Sequence, residues 1–117
     1  MKSTELKQRT FDFAVRIARL VRSLPKEVVE RELGRQLLRS GTSVAANYRA
    51  AQRGRSKAEF IAKLGIAEEE CDETAFWIEL LIAIESVPQA RVEPLLAEAY
   101  EILAIIVSSI RTARRQT

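Results

Sequence analysis

Five carboxylates stand within six residues at Glu68-Glu69-Glu70-Cys71-Asp72-Glu73, and seven cations crowd the stretch from Arg31 to Lys57. These are the side chains that could do chemistry. A carboxylate cluster can hold metal, but di-iron helical bundles draw Glu from two helices and Glu-x-x-His pairs from two others. This chain has no histidine, and no second acidic helix matches the first. The lack of histidine also removes the commonest general base and the commonest metal ligand. Cys71 is the single cysteine; it falls on an apolar seam and reads as a small core residue rather than a nucleophile. No Gly-rich phosphate loop and no Walker lysine are present. The sequence therefore assigns no catalytic, metal or cofactor-binding residue, and a non-enzymatic protein without cofactor is expected.

The cations suit a different task. Arginine offers a planar fork that donates two parallel hydrogen bonds to phosphate, and the chain holds fourteen Arg against five Lys. Arg35, Arg39, Arg49, Arg53, Arg55 and Lys57 are the candidate nucleic-acid contacts. With no recognition-helix or RNA-stacking motif, binding would be electrostatic and weakly sequence-selective. Equally, Arg35 and Arg39 could pair with Glu68–Glu73 on the adjacent helix or on a neighbouring subunit. The charge is uneven along the chain: residues 1–57 carry +9, residues 58–110 carry −9, and Arg111, Arg114 and Arg115 restore the net +3. Such asymmetry points to nucleic-acid contact or complementary self-association.

Four helical segments must position these groups. Phe13, Ile17, Leu20 and Leu24 recur at helical spacing, with Phe11, Ala14, Ala18 and Val21 widening the stripe, so helix one runs from about Thr4 to Ser23 and stops before Pro25. Helix two covers about residues 27–52, with Leu33, Leu37, Val44, Tyr48 and Ala51 near one face and Leu38, Ala45 and Ala46 beside them. Ser40-Gly41-Thr42-Ser43 interrupts that pattern, allowing a kink or a close helix approach; a continuous or slightly bent helix is expected. Gly54 is placed as the C-terminal cap, and Ser56 with Glu59 as a capping box. Helix three, about 56–86, carries Phe60, Leu64, Ala67, Cys71, Thr74, Ile78 and Leu81 at coiled-coil spacing and is closed by Pro88. Helix four, about 90–114, holds Pro94 in its first turn. Its seam is Val92, Leu96, Ala99, Leu103, Ile106, Ile110 and Ala113, flanked by Leu95, Ile102 and Ile105.

Short connections make this an all-α, antiparallel up-down-up-down four-helix bundle in one domain, residues 1–117. No apolar run reaches the ~20 residues of a membrane span. The charged start has no apolar h-region, and a lone cysteine suits a reducing compartment, so a cytoplasmic protein is expected. Four residues are candidates for packing or assembly. Asn47 needs amide partners and would fix the register of helices two and three or a subunit contact; Tyr48 sits beside it. Phe76 and Trp77 are adjacent and cannot both point into one core, so one of them serves an intersubunit surface.

The run QLLRSGTSVAANYRAAQRGRSKAEFIAKLGIAEEECDETAFWIELL resembles the signature of the four-helix-bundle proteins of the 23S rRNA-intervening-sequence (S23) type. Gln36, Arg39, Ser40, Ser43, Val44, Ala46 and Asn47 match its helix-two pattern, and Ser56, Glu59 and Phe60 match the start of its long helix. Tyr48, Ala50 and Ala51 depart from the usual Ile, acidic residue and Gly. The resemblance implies a cytoplasmic, ring-shaped homopentamer. It also implies a relationship to the accessory variability protein of diversity-generating retroelements, a basic pentameric barrel that binds nucleic acid and a reverse transcriptase. The expected function is a homo-oligomeric accessory or scaffold that binds RNA or DNA, with a reverse-transcriptase-like or other nucleoprotein partner. The alternative is an assembly module with no nucleic-acid role.

Overall fold

The computed structural model describes residues 2–116. Four helices, α1 (Ser3–Ser23), α2 (Val28–Gln52), α3 (Lys57–Ala83) and α4 (Gln89–Arg115), run alternately up and down in a bundle 50 × 22 × 19 Å. Sequential neighbours pack directly, while α1 and α4 close the bundle along its thinnest seam. Every helix sends an apolar stripe inward: Phe13 and Ile17 from α1, Leu37 and Val44 from α2, Leu64 and Ile78 from α3, Ile102 and Ile106 from α4, all essentially inaccessible. Burying such stripes against each other is what stabilises helices of this length. Among the described residues no helix is long and apolar enough to cross a membrane.

Helix α2 is continuous through Ser40-Gly41-Thr42-Ser43. The small residues permit close approach: a Cβ on Gly41 would lie 2.7 Å from Ile17 Cγ2 of α1. Ser40 and Thr74, both buried, join α2 to α3 by a 2.9 Å hydrogen bond from Thr74 Oγ1 to Ser40 Oγ. Ser40 Oγ lies 3.3 Å from the Leu37 carbonyl, and Thr74 Oγ1 lies 2.7 Å from that of Glu70. With one proton each, the two hydroxyls share three acceptors: one donates across the interface to the other while that other donates to the carbonyl on its own helix.

Several expected details are corrected. Phe11 and Leu38 do not extend the core; they are 56% and 38% exposed. In α4 the core takes Leu95 and Ile102, while Leu96 and Leu103 are only partly buried. Helix α3 ends at Ala83, before the expected boundary at 86. There Glu85 takes φ 60, its N–H bonds the Ile82 carbonyl, and the Ser86 N–H bonds that of Leu81. This is a Schellman ending with Glu where Gly is usual, so backbone hydrogen bonds stop α3, and Pro88 serves as N-cap of α4. Pro94 is the sixth residue of α4, beyond the first turn; the carbonyl its missing N–H leaves free belongs to Ala90, which is exposed to water. Gly54 has no positive φ. Close packing favours it instead: a Cβ would sit 3.1 Å from the Ala51 carbonyl oxygen and 3.2 Å from Phe60 N, tight contacts with backbone.

Candidate nucleic-acid interface

The up-down-up-down order brings the start of α1, the α2–α3 corner and the end of α4 to one end of the bundle. A cleft of about 560 Å³ there is lined from all four helices, by Ser3, Gln52, Lys57, Phe60 and Gln116 among others. Local bonds fix the backbone of this end. Tyr48 is buried, and its hydroxyl donates to the Ser3 carbonyl at 3.1 Å, which Gln52 Nε2 also reaches at 3.2 Å. Burial raises the Tyr48 pKa above the ordinary phenol value. Ser56 caps α3 by accepting from the Glu59 N–H at 3.1 Å. The expected capping box closes one residue early, since Glu59 accepts from the Arg55 N–H at 3.4 Å.

On this frame sit Lys2, Lys7, Arg49, Arg53, Arg55, Lys57, Arg111, Arg114 and Arg115, all within five residues of the helix boundaries at this end, against only Glu5 and Glu59. Every one of the nine cations is exposed. Among the described residues none of them makes an ion pair within 4.0 Å. Three segments far apart in sequence thus pool their charge. Exposed, uncommitted guanidinium groups on a rigid end are what sequence-independent phosphate binding uses. Arg49, Arg114 and Arg115 also sit in the last turns of α2 and α4, where cations complement the helix dipole.

Arg35 and Arg39 are not part of this end. Arg35 pairs with Glu32 on its own helix at 2.7 Å. Arg39 crosses to α3, meeting Glu70 at 3.0 Å and also Glu73. Glu73 in turn accepts from Trp77 Nε1 at 3.0 Å. Of the acidic run, Glu70 and Glu73 therefore face Arg39 within the same chain. Asn47 spans no helix–helix contact: its Nδ2 donates to the carbonyl and hydroxyl of Ser43, at 2.9 and 2.8 Å, one turn earlier. Phe76 is the outward member of the aromatic pair, 52% exposed, and meets half-buried Trp77 edge-on with ring centres 5.0 Å apart.

One ionic contact had no local signal. Arg9 of α1 donates from Nε and Nη2 to both oxygens of Glu98 on α4, at 2.7 and 2.6 Å, and reaches Glu101 at 3.0 Å. The Glu98 hydrogen bonds hold the guanidinium pKa above its ordinary value. This fork staples the seam where the bundle is thinnest. Among the described residues no group of three or more His, Cys, Asp or Glu is placed to hold a metal ion. Cys71 is fully buried, its Sγ donates to the Ala99 carbonyl at 3.2 Å, and burial pushes the thiol up to about 12.

A family model described as 23S rRNA-intervening sequence protein matches residues 2–108. Among solved structures, the chain is similar to a protein of unknown function from the S23 ribosomal protein family of Bacteroides thetaiotaomicron. The two are 40% identical with a TM-score of 0.88, over 95% of this chain and 99% of that one. No curated protein matches.

Proposed function

This chain belongs to the 23S rRNA-intervening sequence protein family, and from that premise we propose that it is a non-enzymatic, cytoplasmic homo-oligomer, a pentamer, that binds RNA or DNA through phosphates as an accessory or scaffold of a larger nucleoprotein. The observation that carries the reading is the convergence of Arg49, Arg53, Arg55, Lys57, Arg114 and Arg115 on one end of the bundle, exposed and without ion-pair partners among the described residues. A reverse-transcriptase-like enzyme is the class of protein partner that fits such an accessory.

Titration of generic single-stranded RNA and duplex DNA against salt tests the binding. If these six cations contact phosphates, the slope of log K against log salt is about −4 for single strands and about −5 for duplex. Affinity is alike for unrelated sequences. Negligible binding at low salt, or a slope near zero, sinks the reading.

A further inference from the structure

The buried seam of α3 opens at its first turn. From Leu64 through Ala67, Cys71, Thr74 and Ile78 to Leu81 every seam residue is buried, whereas Phe60, one turn earlier, is only half-buried. Phe60 packs against the core on one side, and what it leaves uncovered lines two adjoining clefts. The first is the end cleft of about 560 Å³; the second, about 580 Å³, passes Ile105, Ser109 and Thr112 of α4. Phe60, Ala113 and Gln116 line both, and among the described residues Phe60 is the one aromatic in either lining. Both volumes fall within the ~300–1,000 Å³ usual for a small-ligand cleft.

The polar groups beside the ring can meet the edge of a flat heterocycle. Gln52 donates from Nε2 to the Ser3 carbonyl at 3.2 Å, and its amide oxygen has no partner among the described residues. Gln116 bonds only through its backbone N–H, to the Ala113 carbonyl, so its side-chain amide is free among the described residues. An amide offers a donor and an acceptor together, the pair that the edge of an unpaired base presents. The cleft wall is held in place, since Tyr48 and Gln52 both fix the Ser3 carbonyl. Lys57 lines the cleft itself, Arg53 and Arg55 flank Gly54 of its lining, and Arg111 and Arg114 flank Thr112 and Ala113.

We infer that this cleft takes an unpaired base of a bound single strand. The base stacks on Phe60 with its edge toward the amides of Gln52 and Gln116, while Lys57 and the neighbouring arginines hold the phosphates on either side. Stacking on an aromatic ring tolerates any sequence, because every base has a π-face. It does distinguish a single strand from a duplex, whose bases are already paired and stacked. The inference deepens the nucleic-acid reading and rests on it.

The test compares two strands of equal length and charge: oligothymidylate and a fully abasic deoxyribose-phosphate strand. The native chain binds oligothymidylate about 5- to 100-fold more tightly, the range that stacking of one base supplies, with the same salt slope for both. Phe60→Leu keeps an apolar side chain against the core and removes the ring. It retains the helical circular dichroism of the native chain, binds both strands at the abasic level, and leaves duplex affinity unchanged. A measurement on the native chain stands apart from any variant: ultraviolet cross-linking of 5-iodouracil-substituted oligothymidylate falls on the tryptic peptide 58–63, which carries Phe60. Equal native affinity for the two strands, a preference for oligothymidylate that survives in folded Phe60→Leu, or cross-links confined to other peptides overturns the cleft. Equal affinities with a normal salt slope overturn the cleft alone and leave phosphate binding standing. No binding of either strand or of duplex at low salt overturns both.

Discussion

Thr74 Oγ1 on α3 lies 2.9 Å from Ser40 Oγ on α2, at a point where neither residue has any exposed surface. Each hydroxyl also has a carbonyl one turn back on its own helix, so losing one partner does not orphan the other. Ser40→Ala and Thr74→Val are each expected to cost about 1 kcal/mol, and the double variant little more than either alone. Urea melts of the four proteins check this. Strictly additive losses would show that the cross-helix bond contributes nothing.

Gly41 faces Ile17 so closely that Gly41→Ala forces Ile17, which is fully buried, off its position. The exposed-helix gain of about 1 kcal/mol for Gly→Ala is outweighed by overpacking of roughly 1–3 kcal/mol. Net destabilisation is expected. In an Ile17→Ala background the same change becomes neutral or stabilising, and thermal melts of the pair measure that reversal of sign.

Glu85 occupies the left-handed position that ends α3, a conformation that costs a side-chain-bearing residue about 1 kcal/mol. Glu85→Gly relieves it and is expected to raise the melting temperature by roughly 3–6 °C. Glu85→Val, β-branched at the same φ, lowers it.

Cys71 has its thiol pKa pushed up to about 12 by burial, with Asp72 and Glu98 adding to the shift. The native chain therefore resists thiol reagents at pH 8 and reacts only on unfolding. The folded pKa lies above the unfolded one, so the native state holds the thiol proton more tightly. The corresponding stability is intact below the unfolded value near 8.5 and is lost as pH rises toward 12. Cys71→Ala is expected to flatten the decline in stability between about pH 9 and 11, read from urea midpoints.

Arg39 and Arg53 part company as candidate phosphate contacts. Arg39→Ala unpairs Glu70 and Glu73 and is expected to cost about 0.5–1 kcal/mol of stability, discounted for its half-exposed side chain, with little change in polyanion affinity. Arg53→Ala leaves stability unchanged, weakens binding to every sequence alike, and lowers the single-strand salt slope by about 0.7. Equal effects of both on affinity would return Arg39 to the binding surface.

The helices, the stop at Pro25, the cap at Ser56 and the continuity of α2 are legible because each depends on residues within a turn of one another. The choice of Leu95 and Ile102 over Leu96 and Leu103 is not: both sets are apolar at nearly the same spacing, and a straight helix drifts from a strict seven-residue repeat. Phe11 reads as core for the same reason, since a large apolar residue beside a stripe looks alike whether it faces its own bundle or another chain. Arg9 with Glu98 joins residues far apart in sequence, and nothing local distinguishes Arg9 from its basic neighbours on α1. Arg35 and Arg39 lie one turn apart on the same face of α2 and differ in partner because α3 meets Arg39 with Glu70 and Glu73, whereas one turn on it carries Thr74 and Trp77, a match set by the packing register of the two helices.

The nine cations at one end of a 50 Å rod, with Glu68–Glu73 in a belt midway along it, give the molecule a permanent electric dipole along its long axis. A nearby polyanion exerts a torque on such a body before any contact forms, turning the positive pole toward the phosphates. At physiological ionic strength that torque fades beyond roughly 8 Å. An encounter with a polyanion would then be end-on, with the bundle axis upright on the strand.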